Sequence, residues 1–451
     1  MLSATRQKVS PASWRTLQFA LGRVTSLHML ALGIVWTAAS AWSLGGGSLH
    51  LEATWYLPYH LSRVPFMNRI FDSATLETGM YQARELSYAA DALDCHFIAL
   101  SAHLGLPHFL SLIHYVGAVI TALLLWRFLA LDLKGDPISA AVFPLLFLTA
   151  PSVFLSGSYF RSSKILVALL SMVMIRQIYR GLHFERTSLW YWATFGVTGV
   201  ACALSDRQGF VFLLVWLAGL GVYALTGRTK AAYAAVMSIA SAVVLAVSYN
   251  NVIGPRVTFL LNGYWPNFSY QLFPWDEFLA RPYQYIKSGQ ALLLDTARFA
   301  FGDVPTACVM ILLAGCVWLI GKRHGVVAAL FAAGCVAALI LLNALMVLRH
   351  PPLVSIDGRR GYYWVPATLL VVVIGGIAVA QPWKTKLLVA LRGALLLLLF
   401  GNILALPGHW EIAVNGRSKG TFKAAQSIRA ALVSGKVPPD MATNSVYLSL
   451  R

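Results

Sequence analysis

Residues 209–226 read GFVFLLVWLAGLGVYALT, eighteen positions without a charge, bounded by Asp206-Arg207 on one side and by Arg228 and Lys230 on the other. A helix needs roughly 20 such residues to cross the hydrocarbon core, and a helix satisfies its backbone polar groups within its own segment. Comparable stretches recur at about 25–43, 109–131, 138–157, 164–181, 188–205, 232–249, 304–321, 325–348, 362–380 and 386–406. The fold class read from this is all-α: a polytopic integral membrane helical bundle of about 11 transmembrane helices. Composition agrees. Of 451 residues 58% are hydrophobic and 12% charged, about half the charged fraction of an ordinary soluble domain. A soluble enzyme, a collagen-like fibre and a disordered tail protein are excluded together.

The net charge of +18 would suggest nucleic acid in a soluble protein, but here topology explains most of it. Short cytoplasmic loops of membrane proteins collect Lys and Arg. Arg6, Lys8, Arg15 and Arg23 precede or open the first span, and alternate connections carry Arg127 and Lys134, Arg176, Arg180 and Arg186, Arg228 and Lys230, Lys322 and Arg323, and Lys384 and Lys386. All fall on one side if the N-terminus is cytoplasmic. No nucleic-acid partner is expected. Ala39-Ser40-Ala41 resembles a cleavage site, but the apolar stretch is longer than a signal peptide's, so an uncleaved first span is expected.

Two long loops then lie outside, at about 44–108 and 250–303, and a short extracytoplasmic tail follows at 406–451. Within the first loop, residues 75–104 read as a helix interrupted only by Gly79. Within the second, Pro255, Pro266, Pro274 and Pro282 argue against long helices. Residues 423–435 read as a short amphipathic helix. Cys202, Cys308, Cys316 and Cys335 sit in apolar runs, and no CxxC, HExxH, Walker A or GxSxG pattern is present.

Only Asp132, Asp136 and Glu185 among the acids are cytoplasmic in this topology, so the outer face is where acid/base chemistry has carboxylates to use. Glu52, Asp72, Glu77, Glu85, Asp91 and Asp94 crowd the first loop, and Asp91 and Asp94 share a helix face with Tyr88 and Cys95. Several basic residues lie outside against the orientation rule: Arg161 and Lys164 before and in the fourth span, Arg207 in the turn before the sixth, Arg349, and Arg359 with Arg360. A phosphate would account for them, since arginine offers phosphate a bidentate fork; snorkelling to headgroups or pairing with the outer acids is the alternative. The second loop carries Tyr264, Trp265, Phe268, Tyr270, Phe273, Trp275, Phe278, Tyr283 and Tyr285, an interfacial belt or a set of faces for sugar rings.

A first span, a long outer loop opening on Leu51-Glu52-Ala53-Thr54-Trp55-Tyr56, a run of closely joined spans and a second long outer loop together resemble the GT-C membrane glycosyltransferases, over about residues 1–405. The resemblance implies transfer of a sugar from a polyprenyl-phosphate donor to a lipid-, glycan- or protein-linked acceptor, on the periplasmic face of a bacterial inner membrane. Glu52 then corresponds to the family's first-loop general base, with Asp91 and Asp94 as rivals. Arg161, Lys164, Arg207, Arg349, Arg359 and Arg360 would hold the donor phosphate. The paired Asp-Glu of protein-mannosyltransferase-like members is absent, as is WWDYG, which speaks against protein N-glycosylation. A carboxylate base needs no metal ion, and none is expected; a divalent cation is the one cofactor left open. The alternatives are an O-antigen polymerase or ligase, whose large loop tends to come later, and a lipid or solute transporter, which calls for broken or charged helices at mid-membrane.

Overall fold

A computed structural model describes residues 11–45, 57, 59–72, 81–104, 111–157, 162–227, 229–266, 279–283, 306–336, 363–379 and 386–415, with Ala430 and Ser434. All regular structure among them is helical. In chain order the helices are α1 (Pro11–Gly45), α2 (Phe66–Ile70), α3 (Glu85–His103), α4 (Leu112–Arg127), α5 (Pro137–Thr149), α6 (Pro151–Ser156), α7 (Ser163–His183), α8 (Leu189–Ser205), α9 (Arg207–Gly227), α10 (Lys230–Ser248), α11 (Gly254–Asn262), α12 (Thr306–His324), α13 (Val326–Val336), α14 (Val365–Val379) and α15 (Lys386–Asn415).

Among the described residues six helices are long and apolar enough to cross a membrane: Leu21–Ser43, Leu112–Asp132, Ser163–His183, Arg207–Gly227, Lys230–Asn262 and Val389–Gly408. Fewer than half of the residues in each are buried. Their outward faces carry Val35, Leu245 and Leu397, the last 74% exposed, and contiguous apolar surface of this kind needs lipid rather than water against it. The chain is thus a multi-pass helical membrane protein, but six such helices replace the eleven spans expected. The shortfall has local causes. The stretch 138–157 is split at Ala150, between α5 with Pro144 inside it and α6 with Pro151 at its start. α8 and α14 are 17 and 15 residues long, too short for a core of about 30 Å at 1.5 Å per residue. Of 325–348, residues 326–336 form α13 and 337–348 lie outside the described residues.

α5 is the centre of the bundle. Every residue from Ser139 to Thr149 is buried, with α1, α4, α14 and α15 packed around it. A helix apolar on all sides belongs inside. The break at Ala150 frees polar groups, and neighbours serve them: His114 Nε2 lies 2.8 Å from the Val153 carbonyl, and Ser152 Oγ lies 2.8 Å from Thr368 Oγ1. α7 to α10 form a second layer, joined by tight turns. Asp206 alone links α8 to α9 in an extended conformation, as the Asp206-Arg207 turn predicts. Gly209 permits the close return, since a Cβ there would lie 1.9 Å from the Cys202 carbonyl oxygen.

Three further expectations change. α3 begins at Glu85, and residues 81–84 are not helical, so the helix expected over 75–104 is shorter; residues 73–80 lie outside the described residues. Pro255 does not end the helical path after the seventh stretch. α10 passes through a π turn at Tyr249–Ile253 into α11, with Pro255 in the first turn, where proline's missing N–H costs nothing. The chain leaves the helix only at Gly263, whose φ of 72° suits glycine. α15 runs through Pro407 to Asn415. The helix expected over 423–435 lies outside the described residues, apart from Ala430.

Charges sort to two ends. At one, Arg176 Nε pairs with Asp132 at 2.7 Å, Arg392 with Asp136 at 3.6 Å, and Arg23 reaches the Ala130 carbonyl at 3.3 Å. At the other lie Lys164, Asp206 and the first-loop helix α3. Lys164 and Arg176 are twelve residues apart on α7, about 18 Å along its axis.

Candidate functional site

The α3 end of the bundle holds a polar cluster that the sequence scatters widely. α3 lies across the starts of α4 and α7 and the end of α8. It turns Glu85, Ser87, Tyr88, Asp91, Ala92, Asp94 and Cys95 inward. Burying that many polar groups is tolerable only when each finds partners.

At the centre is Asp206, fully buried. Arg84 Nη2 pairs with its Oδ2 at 2.9 Å, while Lys164 Nζ and the Gln208 N–H donate to Oδ1. Lys164 is 1% exposed and stands over the Tyr363 ring, 5.0 Å from its centroid. Gln208 Nε2 donates to the Tyr363 carbonyl at 3.1 Å, tying the same residue to α9. Burial alone would raise the Asp206 pKa, but Arg84 and then Lys164 outweigh it and hold the carboxyl down at about 2. Among the described residues the cluster sets one carboxylate between two cations.

Asp91 and Asp94 are committed to the backbone. Asp91 Oδ1 accepts from the Ser162 N–H at 2.8 Å and from Ser162 Oγ at 2.6 Å, just ahead of α7. Asp94 Oδ1 accepts from the Leu112 and Ile113 N–H groups at 2.7 and 3.1 Å, capping the start of α4. These are the orphan donors of a helix start, which an acidic side chain satisfies well. Asp94 Oδ2 has no partner, and burial lifts the carboxyl to about 6 against the pull of Ser111 and the two amides.

Comparison with known protein families and with curated proteins finds no match to this chain.

Glu85 opens α3 and differs from the other acids. Tyr81 donates to its Oε1 at 2.7 Å, and Oε2 is buried with no hydrogen-bond partner. Burial raises this carboxyl to about 7, more than Tyr81 and its own backbone N–H lower it. Tyr81 packs directly against the Gly254 backbone, where a Cβ would lie 1.6 Å from its hydroxyl. Asn250 Oδ1 accepts from the Ala83 N–H at 3.3 Å. Thus the junction of α10 and α11 holds the segment that leads into α3. A carboxyl titrating near neutrality with one open oxygen is equipped for proton transfer.

The two long loops also meet. Tyr59 and Tyr264 donate to the two oxygens of Asp72 at 2.5 and 2.9 Å, and Asn68 and Asn262 donate to the Leu261 and Asn68 carbonyls. Trp265 stacks on Phe259 at 4.9 Å.

Of the residues singled out by sequence, Asp91, Asp94, Lys164 and Arg207 gather at this end. Glu52, Arg161, Arg349, Arg359 and Arg360 lie outside the described residues. So do Phe268, Tyr270, Phe273, Trp275, Phe278 and Tyr285. Sequence reasoning missed Arg84, Tyr81, Gln208 and Tyr363. Arg84 beside Glu85 was the available signal, a cation just ahead of an acid-bearing surface helix. Among the described residues no three His, Cys, Asp or Glu side chains converge as metal ligands would.

Proposed function

We propose that the chain is a GT-C-like membrane glycosyltransferase. It moves a sugar from a polyprenyl-phosphate carrier to a lipid-, glycan- or protein-linked acceptor on the extracytoplasmic face of a bacterial inner membrane. A first-loop carboxylate takes the proton of the acceptor hydroxyl as that oxygen attacks the anomeric carbon. The bond from that carbon to the phosphate oxygen breaks, and the lipid phosphate leaves with the electron pair.

The observation that supports this best is the Arg84–Asp206–Lys164 cluster, where two cations share one carboxylate beneath a surface helix of the first loop. Its paired cations suit a departing phosphate, and a buried setting strengthens that interaction. Asp206 orients the two cations, so Lys164 acts through this network. Glu52 remains the base by resemblance. Asp91 is the weaker candidate because its Oδ1 already accepts from the Ser162 amide and hydroxyl, whereas Asp94 and Glu85 each keep one buried oxygen without a hydrogen-bond partner among the described residues.

The test uses purified protein in nanodiscs with a lipid-linked sugar pool. Glu52→Gln should abolish transfer while the protein stays folded. Full transfer in that variant removes Glu52 and moves the base to Glu85. One observation favours transport as the second reading: the buried α5–α6 break at Ala150 is a discontinuous helix inside the bundle. Solute flux into proteoliposomes without sugar transfer would select it.

A further inference from the structure

Arg69, on the short helix α2, is the charge that the proposed chemistry does not use. The residue is 7% exposed, and its Nε and Nη1 are buried without a hydrogen-bond acceptor. Among the described residues it forms no ion pair, and its guanidinium carbon stands 6.0 Å from the centroid of the Phe66 ring. Three neutral side chains face it: Tyr59, itself bonded to the Asp72 carboxylate, the buried thiol of Cys95 and the fully buried His60, whose protonation Arg69 opposes after burial itself. Burial raises the Cys95 thiol well above its usual range, so it supplies no anion. A guanidinium cannot shed its proton to escape such a site. An unpaired buried charge is costly, and a native protein offsets it with a counter-ion.

The surroundings indicate where that ion comes from. α2 turns Arg69 inward but shows Phe66 and Met67 outward, Val64 just ahead of it is exposed as well, and α3 beside it exposes Leu93, Phe97 and Leu100. Apolar side chains on a short helix next to a surface helix fit the headgroup level of a bilayer, where phosphate is the abundant anion. This place is separate from the Asp206 cluster. Cys95, which faces Arg69, lies ten residues beyond Glu85, roughly 15 Å along α3.

We propose that Arg69 is the centre of an anion site in the first loop that takes a phosphate oxyanion, its guanidinium donating charge-assisted hydrogen bonds to the phosphate oxygens. The phosphate arrives as a lipid headgroup or as free phosphate, and the two are separable by experiment. Thermal unfolding of the full chain is followed in neutral detergent, with added inorganic phosphate in one arm and with phosphatidylglycerol in the other. The midpoint should rise saturably in one or both arms over a chloride control of equal ionic strength. A response to phosphatidylglycerol alone assigns the headgroup, and a response in both arms assigns phosphate of either source.

In Arg69→Met the dissociation constant should weaken by at least about tenfold, and without phosphate the variant should be no less stable than the native protein, because an unpaired charge has been removed. The inference is overturned if the native protein responds in neither arm, if Arg69→Met keeps the response, or if that variant loses stability without phosphate. Phosphorus NMR of inorganic phosphate or lipid with the native protein alone supplies the check that needs no variant: no line broadening in either case also overturns it.

Discussion

Replacing Asp206 by Asn should be among the most damaging single changes in the chain. The side chain is fully buried, and both cations that face it are nearly so, Lys164 at 1% exposure and Arg84 at 8%. Depression of the Asp206 pKa from 3.8 to about 2 corresponds to roughly 2 kcal/mol of stability at neutral pH. That figure counts only the preference for the ionised carboxyl. Substitution also strands two buried cations, and breaking a buried pair from one side typically costs about 3–5 kcal/mol. The larger figure is therefore expected, read from reversible unfolding in mixed micelles.

The sign with pH follows from the depressed value. Stabilisation is complete above the unfolded pKa near 4 and disappears as pH falls through about 2, and Asp206→Asn should lack this acid-sensitive part. Adding Lys164→Met removes one stranded cation, so the double variant should recover about 0.5–3 kcal/mol relative to additivity. A single-variant loss below about 1 kcal/mol, or strict additivity in the double, would refute the claim that this network holds α3 to α7 and α9.

The other expectations concern the same end of the bundle. Glu85 has a raised pKa, about 7 against 4.5, so the unfolded chain ionises first and stability should decline between about pH 4.5 and 7 by on the order of 3 kcal/mol. Glu85→Gln should flatten that decline, and an unchanged pH profile would be evidence against it. Gly254→Ala should displace Tyr81, because its Cβ would fall 1.6 Å from the tyrosine hydroxyl; an overpacking cost of about 1–3 kcal/mol is expected, and Glu85 should titrate differently by carboxyl infrared bands. Asp94→Ala should lose about 0.5–2 kcal/mol as α4 loses a cap, seen as faster amide exchange at Leu112 and Ile113. Arg176→Ala, at the opposite end, should cost about 1.5–3 kcal/mol, because it and Asp132 are only 12% and 13% exposed and bonded at 2.7 Å.

Much of this architecture was legible in the chain. Uncharged runs such as 209–226 and 232–249 became long helices, and the one-residue turn at Asp206 followed from the gap between two such runs. The span count was less legible, because apolar composition does not separate a lipid-facing helix from a buried one. α5 and α14 are apolar on every side and belong to the interior of the bundle. Pro255 misled for a definite reason: proline opposes helix interiors, yet it sits comfortably in a first turn after a π bulge. The pairing of Arg84 with Asp206 spans 122 positions, and no local periodicity announces a contact of that range. Asp91 and Asp94 illustrate the remaining gap. Their placement on one face of α3 could be read from spacing, but their roles as acceptors for helix-starting amides required knowing which helices α3 crosses.

The measurement that bears most directly on the proposed function is release of the lipid carrier. Purified protein in nanodiscs, given a polyprenyl-phosphate-linked radiolabelled sugar and an extract of envelope acceptors, should move label into acceptor with one equivalent of polyprenyl phosphate freed. Transfer should fail in Glu52→Gln and fall in Lys164→Met. No carrier release by the native protein, together with label crossing the membrane still attached to its carrier, would contradict the account and make the chain a transporter.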